Sequence, residues 1–462
     1  MTPNEELLMA IFKYGKIVTR FDNDDLPPIM AFPTEKYLDV LKAYKDYQPM
    51  SAEEQFLSEA FNRDSKELVD LVMHFPPYKH LLAQKALFAV LNGWKIVDEA
   101  KVSNHYRRMA LEYTTIEVDY GLTENSIKEG TIVLESSDNR RLAVKFYFVE
   151  HMEEGKPRSD IYLICEKENK QWLDELVDKI NKWIDKNNYL RGKKIKPDLT
   201  FLDNKMKYNW DDLIVSDEVK EEIQRNIKDY FELGEIYRKN NLPFKRGMIC
   251  YGQPGTGKTL LGKVLASQIE STFIWVTPSD VETAKSVEYV FEMARDLSPT
   301  ILFFEDLDLY ASIREGNNKS DVLGELLAQM DGFMDNNHLF IIATTNDLKV
   351  IEPALKDRPS RFDSVIAFKP MDENLRTRMI RRLLRGYITK EEPDTLSSEA
   401  AKLLKNMTGA ELNEFFISVI KTAIDEKNFD ADKKVILSLD IFKKALNKIG
   451  VNKNKIMIGF GS

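Results

Sequence analysis

The sequence predicts an α/β protein: a doubly wound parallel sheet, preceded by a separate α+β region and followed by a helical one. Three observations lead there. Continuous apolar runs at 248–251, 301–304 and 339–343 are separated by segments of helical spacing, the pattern of strands buried on both faces. A glycine-rich stretch, Gly252 to Thr259, joins the first of these runs directly to a helix. Upstream of about residue 200 the pattern changes from helical spacing to strict alternation, and downstream of about 370 it is helical throughout. The predicted domains are therefore 1–200, 201–370 and 371–462.

A chain of 462 residues is too long for one ordinary core. Its 43% hydrophobic and 31% charged residues describe a folded, soluble protein. The net charge of -9 argues against a general affinity for nucleic-acid phosphates. Cys165 and Cys250 each sit in an apolar strand-like run and read as buried free thiols in a reducing compartment. The five histidines are scattered and never fall at metal-ligand spacing with a cysteine. The first residues are acidic and lack the apolar core of a secretory signal, and no apolar run approaches the roughly 18 residues of a membrane helix. The expectation is a cytoplasmic protein with no membrane partner.

In the first region, "SAEEQFLSEAF" and "DSKELVDLVMHF" both carry apolar residues at three-and-four spacing behind helix-start residues, so both are expected to be helices. A further helix begins at the proline pair Pro76-Pro77 and ends near Gly93. Period two then takes over in "IEVDY", "TIVLES" and "RLAVKFYFVE", with Leu142, Val144, Phe146 and Phe148 on one face. The stretch 171–188 puts Trp172, Leu176, Ile180 and Trp183 on one helical stripe, whose default is core packing. The basic run Arg191, Lys193, Lys194, Lys196 reads as a solvated linker rather than a phosphate patch.

The strongest chemical signal is Gly252-Gln253-Pro254-Gly255-Thr256-Gly257-Lys258-Thr259, which matches G-x-x-x-x-G-K-[ST] between a strand and a helix. Glycines allow the backbone to wrap phosphates, so that its N–H groups and the helix N-terminus face negative charge. Lys258 reaches the outer phosphates, and the Thr259 hydroxyl is a Mg²⁺ ligand; Leu260, next in the chain, is a further cofactor-binding candidate. The cofactors expected are ATP and Mg²⁺. The second apolar run ends in Glu305-Asp306 and the third in Thr344-Thr345-Asn346, and the carboxyl ends of such strands share one site.

These residues, over roughly 208–448, resemble the AAA ATPase family. "YNWDDLIVSDEVKEEI" is similar to the family's entry segment, which frames the adenine and here includes Ile214. "IEPALKDRPSRFD" resembles the end of the second region of homology, where Arg358 and Arg361 would be arginine fingers. Ser360 replaces the usual glycine there, and Lys356-Asp357 adds a residue. "MTGAELNEFFISVIKTAI" resembles the sensor-2 helix of the strict clade, with Gly409-Ala410 in place of a sensing arginine. The resemblance implies a ring, usually a hexamer, in which a neighbour's arginines complete each site.

Relatives usually carry Asp then Glu where this chain has Glu305-Asp306. In this register Glu305 takes the Mg²⁺ side with Thr259, and Asp306 polarises the attacking water, held by Asn346. Aspartate is one methylene shorter, so its carboxylate would retreat by about 1.5 Å unless the strand end moves. A misplacement of that order can cost about 10²-fold. The exchanged pair also occurs in a chaperone-like subgroup similar to the mitochondrial AAA protein that translocates a folded iron–sulfur protein. The segment between Trp275 and Tyr289 has neither the aromatic nor the glycine of a threading loop. A weaker pore-loop candidate follows Asp308, with Tyr310, Arg314 and Gly316. The leading expectation is therefore an ATP-driven protein-remodelling chaperone acting on a protein client. A nucleic-acid-directed motor or loader, and an ATP-sensing assembly module with little turnover, are the alternatives. The ending "IMIGFGS" presents Ile456, Ile458 and Phe460 as either a packing segment or a frayed tail.

Overall fold

The structure, a computed structural model, describes residues 51–102, 108–149, 158–203, 207–240, 247–311, 322–331, 338–351, 362 and 364–458. Contacts divide the chain into two units, one of Met1–Thr114 with Ser126–Asn181 and one of Thr115–Asn125 with Lys182–Ser462.

The elements up to the end of the third helix are α1 (Ala52–Phe61), β1 (Leu68–Phe75), α2 (His80–Val90), β2 (Lys95–Val102), β3 (Arg108–Met109), β4 (Glu112–Asp119), β5 (Leu122–Glu135), β6 (Arg141–Val149), β7 (Arg158–Glu166) and α3 (Lys170–Asn187). They form an antiparallel sheet in the order β1-β7-β6-β5-β2-β3, with β4 on β5. Helix α1 starts as its sequence dictates, with Ser51 and Glu54 closing a capping box. Its Phe56, Leu57 and Phe61 pack on Ala100, Val133 and Ile164 of the sheet. Leu142, Val144, Phe146 and Phe148 are buried as expected, and Ala143 is buried on the opposite face. Trp172 stacks on Trp94 with centroids 5.4 Å apart and lies under the Arg140 guanidinium, a packing role.

One helix expected here is a strand. Asp64 does cap a turn, but only the short 3₁₀ segment Ser65–Glu67. The residues after it pair along their whole length with β7, from Leu68 opposite Glu166 to Phe75 opposite Ser159. The Leu-Val and Leu-Val-Met runs serve both spacings, and cross-strand burial decides between them.

The second unit continues with β8 (Lys194–Ile195), α4 (Asp217–Lys239), β9 (Gly247–Tyr251), α5 (Lys258–Gln268), β10 (Thr272–Val276), α6 (Ala284–Asp296), β11 (Thr300–Phe304), α7 (Leu307–Ala311), α8 (Val322–Asp331), β12 (Leu339–Thr345) and β13 (Ser364–Ala367). The sheet is parallel throughout, in the order β13-β9-β12-β11-β10-β8. Strands β10, β11 and β12 are buried along their whole length, which is why they read as unbroken apolar runs. The run 191–196, read as a linker, instead supplies edge strand β8 beside β10. Three of its four cations are held locally. Arg191 donates to the Asp296 carbonyl, Lys193 pairs with Asp119, and Lys194 donates to the Ile269 and Ser271 carbonyls. Burial lowers the Lys194 pKa to about 8.

The chain ends in α9 (Glu373–Leu383), β14 (Ile388–Thr389), α10 (Pro393–Leu403), α11 (Gly409–Asp425), β15 (Ile436–Leu437) and α12 (Leu439–Ile458), with Ile380, Leu396, Leu412, Phe416 and Phe442 in a common core. Ile456 and Ile458 belong to α12, and Phe460 lies outside the described residues. Tyr310, a pore-loop candidate, is buried in α7 against Phe304, with its hydroxyl on the Val276 carbonyl, so it faces the core. Arg314, Gly316 and both candidate fingers, Arg358 and Arg361, lie outside the described residues. Cys165 and Cys250 are buried free thiols; burial pushes Cys165 up to about 11 and raises Cys250 as well. Among the described residues no helix is long and apolar enough to cross a membrane.

Candidate nucleotide site

Strand β9 ends at Tyr251, and the chain turns through Gly252, Gly255 and Gly257 before entering α5 at Lys258. All three glycines have positive φ (159°, 79° and 107°). Gly252 approaches the Phe368 carbonyl so closely that a Cβ would stand 2.2 Å from its oxygen. A cavity of about 400 Å³ opens over this loop, within the usual size of small-ligand pockets. Pro254, Thr256, Lys258, Thr259 and Leu260 form one wall, and Asp306 and Asn346 close the end where the strands finish. Ile214, Gly409 and Ala410 contribute the opposite side.

The approach of α11 to the loop accounts for Gly409-Ala410. The Ala410 N–H donates to the Gly255 carbonyl at 3.3 Å, and a Cβ on Gly409 would meet that oxygen at 3.3 Å and Met371 Cε at 3.0 Å. A long side chain at either position would crowd the glycine loop at Gly255. Thr408 caps the helix in a box with Glu411, so its N-terminus is fixed beside the cavity.

Lys258 is 6% exposed, and its Nζ donates to the Gly252 and Gln253 carbonyls at 2.7 and 3.0 Å. Burial pulls its pKa down, opposed by the charges of Asp306 and Asp308. Glu305 stands just behind the wall, one oxygen accepting from the Thr259 hydroxyl and the other from the Trp275 indole N–H at 3.1 Å. Asp306 departs from the strand in the left-handed region (φ 50°), which aspartate tolerates better than most residues. Its N–H donates to Thr344 Oγ1 at 3.0 Å, and its carboxylate accepts from Asn346 Nδ2 at 3.1 Å. Burial, then Glu305 and Asp308, raise the Asp306 pKa above the ordinary carboxylate value.

Four participants carry no sequence signal strong enough to single them out. Asp308 accepts from Thr345 Oγ1 at 2.7 Å and from the Asn346 N–H at 2.9 Å, fixing the segment that carries Asn346. Arg382 of α9 donates to the Asp212 carboxylate at 2.5 Å and to its carbonyl at 3.1 Å, on the side of the cavity lined by Ile214. Trp275 is the fourth. Asp308 is only the third acid of "EDLD" in the sequence, and Arg382 meets Asp212, and Trp275 meets Glu305, only in the folded chain.

The donor set suits a nucleotide with a hard cation. Thr259 and Glu305 offer two neighbouring oxygens, and the rest of a Mg²⁺ shell would come from phosphate and water. Among the described residues no three His, Cys, Asp or Glu side chains gather into a protein-only metal cage.

Residues 248–370 match the family model described as ATPase family associated with various cellular activities (AAA). The chain is 35% identical over 248 residues to a proteasome-activating nucleotidase of Methanococcus maripaludis, covering 50% of this chain and 58% of that protein. It is 32% identical over 216 residues to Protein SAV of Sulfolobus acidocaldarius (45% of this chain, 27% of that one). A putative cell division cycle ATPase of Plasmodium falciparum is 31% identical over 227 residues, or 47% and 18% of the two chains. The chain thus spans at most 58% of the length of these relatives. The family match falls on the parallel sheet and the glycine loop described above, and the chain carries an AAA ATPase domain.

Proposed function

We propose that this chain is a Mg²⁺-dependent ATP hydrolase that assembles into a ring, of the hexameric kind its family resemblance implies, and remodels protein clients. The observation that carries the hydrolase reading is the Asn346–Asp306 contact at the end of a cavity shared with Lys258 and Thr259. Lys258 and the loop N–H groups bind the phosphates; the lysine's present partners are loop carbonyls, so a phosphate oxygen can replace them without stranding a buried charge. Thr259 and Glu305 would hold Mg²⁺, which offsets phosphate charge when bound. Asp306 accepts the proton of a water that attacks the terminal phosphorus as the bond to ADP breaks, and Asn346 orients both. Arg358 and Arg361 are assigned to a neighbouring subunit's site, where they stabilise charge on the transferred group.

The exchanged acids and the short β10–α6 connection support the chaperone-like subgroup. Between Val276 and Ala284 the chain makes only a 3₁₀ turn, Pro278–Asp280, with no aromatic side chain to grip an extended polypeptide. Clients would then be handled folded or partly folded, with the preceding antiparallel unit as the client-facing part, in the cytoplasm. The internal partners of Arg191, Lys193 and Lys194 count against a nucleic-acid motor.

The test is steady-state ATP turnover of the full chain with and without Mg²⁺, alongside light scattering. Mg²⁺-dependent turnover by a ring supports the proposal; assembly on ATP with turnover no faster than Asp306→Asn leaves an ATP-sensing scaffold. The pH profile of kcat/KM adds an independent check. Asp306 must be ionised to act, and its pKa is raised, so activity is present above that pKa and lost as pH falls through it. The acid limb is expected above the ~3.9 of a free aspartate.

A further inference from the structure

The proposed metal-side acid is held by a residue on the neighbouring strand. Trp275 and Phe303 are register partners on β10 and β11, with rings 4.7 Å apart, and Glu305 follows Phe303 by two residues on the same face of the sheet. Helix α5 lies over that face. Thr259 and Gly262, three residues apart, share one side of the helix. Gly262 leaves room for the two rings: a Cβ there would stand 2.7 Å from Trp275 Cη2 and 2.7 Å from Phe303 Cε1. The indole is thereby wedged, 8% exposed, with its N–H 3.1 Å from Glu305 Oε2, while Glu305 Oε1 accepts from Thr259.

We infer that Trp275 is a positioning residue for Glu305, fixing the longer carboxylate so that Oε1, beside the Thr259 hydroxyl, is the oxygen offered to a divalent cation. The inference rests on the reading of Glu305 as the metal-side acid. Its chemistry follows from the donor. An indole N–H can only donate, so it pins one carboxylate oxygen without competing as a cation ligand. Glutamate at this place has one more rotatable bond than aspartate, and the indole removes that freedom. The exchanged acid, Trp275 and Gly262 thus form one unit.

The experiment measures mant-ADP binding to the full chain by fluorescence, first in EDTA and then as Mg²⁺ is added. Trp275→Phe is expected to raise the Mg²⁺ concentration for half-effect by about 10-fold, the scale of a hydrogen bond to a charged group, and to leave metal-free mant-ADP affinity unchanged. In a Glu305→Gln background the same substitution is expected to have no further effect on the Mg²⁺ response. An unchanged Mg²⁺ response in Trp275→Phe, or an equal fall in metal-free affinity, overturns the inference. If Glu305→Gln alone leaves the Mg²⁺ response unaltered, the assignment of Glu305 fails first, and the two failures are distinguishable. Should Trp275→Phe not fold, ¹⁹F spectra of the chain carrying 5-fluorotryptophan at its five tryptophans read the indole directly. One resonance is expected to move when Mg²⁺ joins the ADP-bound chain and to stay still in Glu305→Gln; five unmoved resonances overturn the inference.

Discussion

Asp306→Asn is expected to lower ATP turnover by about 10²–10³-fold with nucleotide affinity near that of the parent, because a positioned base contributes on that scale. The substitution is unusually clean here. Asparagine, like aspartate, tolerates the left-handed backbone at φ 50°, and its Oδ1 can still accept from Asn346 Nδ2. Its N–H keeps the bond to Thr344 Oγ1. The geometry therefore survives, and what is lost is the ability to take a proton. Glu305→Gln is its counterpart: it spares the water-side carboxylate and is expected to act on the Mg²⁺ requirement instead. Parallel turnover assays and mant-ADP titrations separate the two. Parent-level turnover in Asp306→Asn would sink its assignment as the base, and turnover lost together with binding would point to a damaged loop.

The exchange of acids looked in the sequence like a defect of reach. The folded strand end answers part of that concern, since the chain leaves β11 through a left-handed turn at the aspartate and brings it within hydrogen-bonding distance of Asn346. No spacing rule foretells this, because a lone positive φ at a non-glycine residue is set by what it contacts. Legibility elsewhere follows the same division. The three buried parallel strands at 248–251, 301–304 and 339–343 and the glycine loop are readable because each is a contiguous pattern with a local cause. Gly409-Ala410 was readable as a family pattern, but its reason, the close approach of α11 to Gly255, needed the fold. The stretch 68–75 was misread because leucine and valine at mixed spacing satisfy both periods until a partner strand selects one. Trp275, Asp308 and the Arg382–Asp212 pair were passed over because their partners lie 30 to 170 residues away.

Two loop glycines are expected to fail in different ways, and the contrast separates folding from phosphate binding. In Gly252→Ala the new Cβ would lie 2.2 Å from the Phe368 carbonyl oxygen and 3.1 Å from its carbon, both backbone atoms at the end of β13. Neither can retreat easily. The Phe368 N–H is bonded to the Tyr251 carbonyl at 2.7 Å, and the Gly252 N–H is bonded to Thr345 on the other side. Overpacking at such a point costs roughly 3 kcal/mol, which for a domain of this size lowers Tm by about 6–12 °C. In Gly257→Ala the Cβ meets only Leu213 Cδ1, at an ordinary 3.6 Å. The cost there is the backbone conformation, φ 107°, at about 1–2 kcal/mol, and relaxing it turns the N–H groups at the start of α5 away from the phosphates. Thermal unfolding without nucleotide should therefore place Gly252→Ala well below Gly257→Ala. The rise in Tm on adding ATP should be the quantity that Gly257→Ala loses, since that increment tracks ligand affinity for the native state. If Gly257→Ala unfolds first yet keeps its ATP increment, the division of labour is reversed: Gly257 would then belong to the fold and Gly252 to the phosphate cradle.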